Sequence, residues 1–421
     1  MNRSFATMLG LALASTVAVR GQDWPHYLGP NRNSHVIDFK APTTWPTQLK
    51  EVWKVEIGDG LATPALVGDR LYTYSRENPY EIIRCLDAAS GKELWQEKHE
   101  TLAPTGGAAS YAGPRSSPAV ADGKVVTYGV RGTLSCLDAA TGKLLWRKEG
   151  TGGAWPTFFT SSSPMILNGL CIVQTGNDKE GAIRAFDLAT GAEKWSWGDD
   201  GTTYASPVTM KLGSTDLVVA QSAKRVVAIN AASGKLVWET PFAISGREIN
   251  SVTPIVDGST IIYGGTGRGF TAVRLADKDG AIAASELWSH REESMKFSNP
   301  MLTQAVLLGL NEGGDLFCID ARTGKSAWKV PTKSDDAAAE PADGRRRRGG
   351  GGGFGSVVAA GKVAIALTPA AEMLVFEPST AGYKELARIK VADSPTHAYP
   401  VLSGNRIFIK DQNSVALLTL D

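Results

Sequence analysis

Few side chains in this chain of 421 residues sit at spacings that do chemistry. Its four cysteines offer thiols for redox or metal work, but Cys85, Cys136 and Cys318 recur at one position of a repeated phrase, and Cys171 stands apart. Equivalent positions of separate units should lie beyond the ~7 Å Cα separation a disulfide spans, so small buried thiols are expected. Among the five histidines, His26, His35 and His99 have no metal-ligand spacing. Asp59, Asp199, Asp200 and Glu248 fall in loops and carry the hard oxygens that a calcium ion takes, yet no motif surrounds any of them. GGTGRGF (Gly264 to Phe270) has the composition of a phosphate loop. Between two strands rather than ahead of a helix, it reads as a hairpin turn. G-x-S-x-G, H-E-x-x-H and Walker loops are missing from the sequence.

The elements that must position these residues are written in a repeat. CLDAASGKELW (Cys85 to Trp95) returns as CLDAATGKLLW, AFDLATGAEKW, AINAASGKLVW and CIDARTGKSAW, the last ending at Trp328. Each phrase starts as an apolar strand, turns through Gly91, Gly142, Gly191, Gly234 or Gly324, and ends in a strand closed by Trp. The glycine supplies positive φ, and the preceding Asp (Asp87, Asp138, Asp187, Asp320) can bond back onto the turn. Upstream of each phrase stands Ser, Thr or Asn followed by Pro, at Thr63, Ser117, Ser163, Ser206, Thr253 and Asn299, then two apolar runs joined by a tight turn such as Asp122-Gly123 or Asn168-Gly169. Four strands per unit follow.

Trp53, Trp95, Trp146, Trp195, Trp238, Trp288 and Trp328 close successive units 40 to 51 residues apart, the period of a propeller blade. An indole of roughly 150–250 Å² cannot be covered within its own sheet and needs the neighbouring one. The unit ending at Trp288 has a lengthened turn, and the seventh carries Leu386 or Ala387 near the Trp position. After it the chain offers three more strands from Tyr399-Pro400 onward without a Trp strand, while Glu51 to Gly58 is a Trp strand without its three partners. Joined, they make an eighth blade. The fold class expected is all-β: an eight-bladed β-propeller of four-stranded antiparallel blades, closed by pairing of the N- and C-terminal strands across residues 51–421.

The flanking segments add localisation. Residues 1–21 read as a secretion signal, with Arg3, an apolar stretch from Phe5 to Val19, and cleavage after Ala18 or Gly21. That stretch is shorter than the ~20 residues a transmembrane helix needs, and no cysteine stands beside it to accept a lipid. A soluble periplasmic or secreted monomer is expected. Residues 22–50 form a leader, and 331–355, with Arg345 to Arg348 and a glycine run, a flexible insertion. A net charge of +1 gives no field to recruit nucleic acid.

With its A/C-x-D-x-x-T/S-G-K-x-x-W phrase, the chain resembles the PQQ (pyrroloquinoline quinone)-like β-propeller repeat family over essentially all of its length after the signal, and the phrase is similar to that family's tryptophan-docking motif. DWPHYLGPNRNSHV (Asp23 to Val36) resembles the leader of exported members. The resemblance implies one of two occupations. One branch holds PQQ and calcium as dehydrogenases of alcohols or sugars, with a Glu, an Asn and an Asp on the metal, a further Asp as base and, in many members, adjacent cysteines over the cofactor. The other branch is non-catalytic, as in the scaffold lipoprotein of the outer-membrane β-barrel assembly machinery.

This chain has no Cys-Cys pair, and its acids align with none of those roles. No cofactor is therefore expected, PQQ and calcium belonging to the alternative. What remains is the axial face, where the residues ahead of the Pro-led strands converge: Asp59, Arg115, Trp155, Phe158, Tyr204, Arg247, Glu248, Lys296, Phe297, His397 and Tyr399. Aromatic and charged side chains suit a protein or peptide partner, and the funnel could also hold a small ligand.

Overall fold

In a computed structural model describing residues 21–150, 154–244, 246, 248–278, 281–333 and 353–420, the alternating apolar runs become eight sheets around one axis. Blade 1 is Ala65–Val67, Arg70–Glu77, Tyr80–Asp87 and Glu93–Glu100; blades 2 to 6 repeat that order, ending in Leu144–Lys148, Glu193–Asp200, Leu236–Pro241, Ala281–His290 and Lys325–Val330. Blade 7 comprises Ser356–Ala360, Val363–Leu367, Glu372–Phe376 and Glu385–Lys390. Blade 8 combines Val401–Ser403, Arg406–Lys410 and Ser414–Thr419 with Lys50–Glu56, which pairs Lys54 to Ala416 and Glu56 to Ser414. Chain ends thus close the ring, as the two incomplete repeats require. A single 3-10 turn, Gly106–Tyr111, is the helical structure among the described residues.

Burial follows position in the blade. Strands with neighbours on both faces, such as Val306–Leu310 and Val363–Leu367, are buried throughout, whereas outermost Glu93–Glu100 is largely exposed. Six of the seven closing indoles donate to the following blade: Trp53 Nε1–H to Ala88 O (3.2 Å), Trp95 to Ala139 O (3.3 Å), Trp146 to Leu188 O (3.0 Å), Trp195 to Ala231 O (2.9 Å), Trp288 to Ala321 O (2.6 Å) and Trp328 to Ser379 O (2.7 Å). The phrase glycine lies under the ring. A Cβ on Gly142 would come within 2.5 Å of Trp95, and one on Gly234 within 2.8 Å of Trp195. The turn glycine therefore does two jobs, since its φ of 73° at Gly142 also needs no side chain.

A β-bulge precedes the Trp position in every blade, skipping Leu94 opposite Cys85–Leu86 and Leu145 opposite Cys136–Leu137. An extra residue there rotates the strand so that the following side chain points at the next sheet. Pairing of Val375 with Ala387 puts Ala387, not Leu386, at the seventh blade's Trp position.

The Ser/Thr/Asn-Pro residues form a belt around the axis. Tyr399 N–H donates to Thr63 Oγ1 (3.0 Å), Thr63 N–H to Ser117 Oγ (3.0 Å), Ser117 to Ser163 (2.9 Å), Ser163 to Ser206 (2.9 Å), Ser206 to Thr253 (3.1 Å) and Thr253 to Asn299 Oδ1 (2.6 Å). All four cysteines are free and buried, with the thiols of Cys85 and Cys136 pushed up to about 11 and about 12 by desolvation. Gly264 to Phe270 is a hairpin turn, Gly265 facing Gly269.

Candidate functional site: the two ends of the axial channel

Loops that lead into the innermost strands gather at one end of the channel, here called the mouth. Arg115, ahead of Ser117-Pro118, spends its guanidinium on the carbonyls of Phe158, Ala108 and Tyr111 and so clamps two mouth loops together. Tyr204 Oη accepts from Phe158 N–H (3.1 Å) and donates to Asp178 (3.4 Å), its ring 6.2 Å from that of Phe158. Trp155 stacks on Phe159 at 6.0 Å with the Arg131 guanidinium 4.6 Å above it, which fixes the indole in place. Phe158 remains 46% exposed.

A second aromatic group joins distant loops. Phe354 stacks on Phe297 (4.6 Å) and reaches His397 (4.6 Å) and Tyr111 (5.9 Å), and Tyr111 meets His397 edge-on. Phe297 is 43% exposed, with Lys296 Nζ 5.0 Å over its ring. Burial and the charge of Lys410 hold His397 down to about 4, so it is a neutral, ring-stacked imidazole near pH 7. Glu248 pairs with Arg268 at 3.3 Å, and Asp59 accepts from Gly113 N–H at 3.0 Å. Arg247 lies outside the described residues. Tyr111 and Phe354 were missed in the sequence, because one sits in a loop of small residues and the other at the end of a glycine run.

Tyr399 belongs to the opposite end. It is 3% exposed and packs edge-on against Tyr27 of the leader at 5.6 Å. The leader crosses the axis there: Trp24 exchanges both backbone bonds with Leu66 of blade 1 (2.8 Å each), and Pro25 O accepts from Val120 of blade 2. Arg32 reaches Pro164 O of blade 3, Tyr27 meets Asn299, and His35–Val36 adds a parallel fifth strand to blade 7. Trp24 is fully buried and Leu28 4% exposed. The cluster of Trp24, Tyr27 and Leu28 was the available signal for a plug, since aromatic residues in a leader otherwise gain nothing.

Among the described residues, no three His, Cys, Asp or Glu side chains converge. Asp199 and Asp200 are engaged by Arg225, Ser222 and Lys224, and Glu248 by Arg268, while Asp59 accepts from Gly113 N–H through one carboxylate oxygen and keeps the other buried without a partner.

Comparison with known proteins finds similarity to two groups. The family model described as "Outer membrane protein assembly factor BamB" covers residues 79–330. A protein of that name from Burkholderia pseudomallei is 25% identical over 382 residues, spanning 87% of this chain and 86% of the relative. Quinohemoprotein alcohol dehydrogenase of Comamonas testosteroni is 24% identical over 74% of this chain, which spans 39% of that enzyme. Among solved structures, BamB from Moraxella catarrhalis superposes with a TM-score of 0.64 at 16% identity, covering 88% of this chain and 99% of the other. A europium-containing methanol dehydrogenase gives 0.69 at 14% identity, covering 92% and 89%. These superpositions establish the fold they share with this chain.

Proposed function

The chain belongs to the family described as outer membrane protein assembly factor BamB, and from that premise we propose an exported, non-catalytic scaffold that captures protein or peptide segments at the channel mouth. The observation that carries this reading is the extent of the match: this chain and the Burkholderia relative cover each other almost end to end. Mouth chemistry supports it. Phe158 and Phe297 present exposed rings on loops tied down by Arg115, Tyr204 and the Phe354 stack, so they are rigid aromatic anchors with little ordering entropy left to lose. Trp155, packed under Arg131, supports the surface rather than offering it. Export by removal of residues 1–21 is part of the same proposal, and residues 1–20 lie outside the described structure.

The second reading, a PQQ- and calcium-dependent dehydrogenase, is favoured by the match to quinohemoprotein enzymes and disfavoured by the engaged carboxylates. Replacing Phe158 and Phe297 with Ala should weaken capture of partners from periplasmic extract about tenfold or more, with an unchanged melting curve. Equal capture by the double variant would remove the mouth as the binding surface. Dye reduction with alcohols or aldoses after loading with PQQ and calcium would replace the scaffold by the enzyme.

A further inference from the structure

The leader carries a buried charge for which the mouth has no use. Arg32 is 6% exposed, and its guanidinium makes one hydrogen bond, to Pro164 O at 3.2 Å, leaving Nη1 buried and unpartnered. Among the described residues no carboxylate pairs with it, and burial alone moves its pKa, down to about 9. A guanidinium with that value is still a cation at neutral pH, and an isolated buried cation is strongly unfavourable. His26 cannot relieve it: burial and Arg32 itself hold the imidazole neutral.

Other polar side chains of the leader are buried as well. Trp24 Nε1 has no partner, and the His26 ring lies in the field of Arg32 with the backbone of Tyr27 and Gly29 against it. Successive turns from His26 O to Gly29 N–H and from Gly29 O to Arg32 N–H keep the segment folded on itself, with the Trp24 ring 3.3 Å from where a Gly29 Cβ would lie. Leu28, Arg32 and Ser34 hold left-handed backbone at φ of 65°, 53° and 58°, a conformation that side-chain-bearing residues keep only where their surroundings demand it. Ser162 Oγ, two residues before the Pro164 carbonyl, is buried and unpartnered too.

We infer that the plugged end of the channel binds a small monovalent inorganic anion of the halide class against Arg32 Nη1. One cation with one open edge matches a single negative charge. A phosphate or sulfate would bring a second charge that nothing here balances. The site is separate from the mouth and independent of what the mouth captures.

Bromide serves as the probe. The full chain is melted at constant ionic strength while bromide replaces gluconate, and crystals grown in bromide are measured for anomalous scattering. The expected result is a Tm that climbs with the logarithm of bromide concentration, and an anomalous peak within hydrogen-bond distance of Arg32. Arg32→Met, which removes the charge while keeping an apolar stem, should lose both. If that variant does not fold, the wild-type titration decides: a Tm indifferent to bromide, a peak away from Arg32, or density for water alone overturns the inference.

Discussion

Gly142 and Gly123 share a left-handed backbone but not a neighbourhood, and the difference sets what each can tolerate. At Gly142 a methyl group would meet Trp95 at 2.5 Å, whereas at Gly123 nothing lies within 4 Å. Gly142→Ala should therefore cost about 2–4 kcal/mol, backbone strain and overpacking together, and Gly123→Ala about 1 kcal/mol. Urea denaturation of the two variants measures both. Acid sensitivity also resides in single side chains. His99, buried beside Arg147 and Arg76, is held down to about 4, as is His397. The unfolded chain takes up these protons near pH 6.5 and the folded chain does so only near pH 4, so their contribution is complete above about 6.5 and is lost as pH falls through that window. His397→Phe should flatten the decline in Tm between pH 6.5 and 4.

The belt of backbone donors and side-chain acceptors links the innermost strands of successive blades. Ser163 accepts from Ser117 N–H, and both residues are buried. Ser163→Ala would strand that N–H without water and should cost about 1–3 kcal/mol. Ser163→Thr should restore it, since Thr63 and Thr253 make the same bond elsewhere in the ring. Chemical denaturation of the pair distinguishes a lost acceptor from a lost contact. The Pro beside each of these residues was legible in the repeat, but the hydroxyl's partner was not, because it lies a whole blade away. The bulge before each Trp was hidden for a similar reason: it is a property of pairing between two strands, and the phrase alone shows no inserted residue.

Closure of the molecule depends on both chain ends. Lys50–Glu56 completes blade 8, while residues 22–40 cross the channel and touch blades on opposite sides of it. Trp24 is the fully buried anchor of that crossing. Trp24→Ala should lower stability by about 3–5 kcal/mol, the usual cost of emptying a large core site. In scanning calorimetry the mouth variants at Phe158 and Phe297 should melt as the parent does, which separates the plug from the binding face.

The order of amino acids determines by itself that there are eight blades and that the termini share one of them, because burying an indole and turning on a glycine are local demands repeated at a fixed period. Candidate mouth residues were partly legible on the same grounds, since the residue ahead of each Pro-led strand must approach the axis. Only the tertiary structure decided that Arg115 and Trp155 brace the mouth, that Tyr399 faces the leader instead, and that Tyr111 and Phe354 meet His397. Those outcomes hang on contacts between loops far apart in sequence, where no periodicity constrains which side chain finds which.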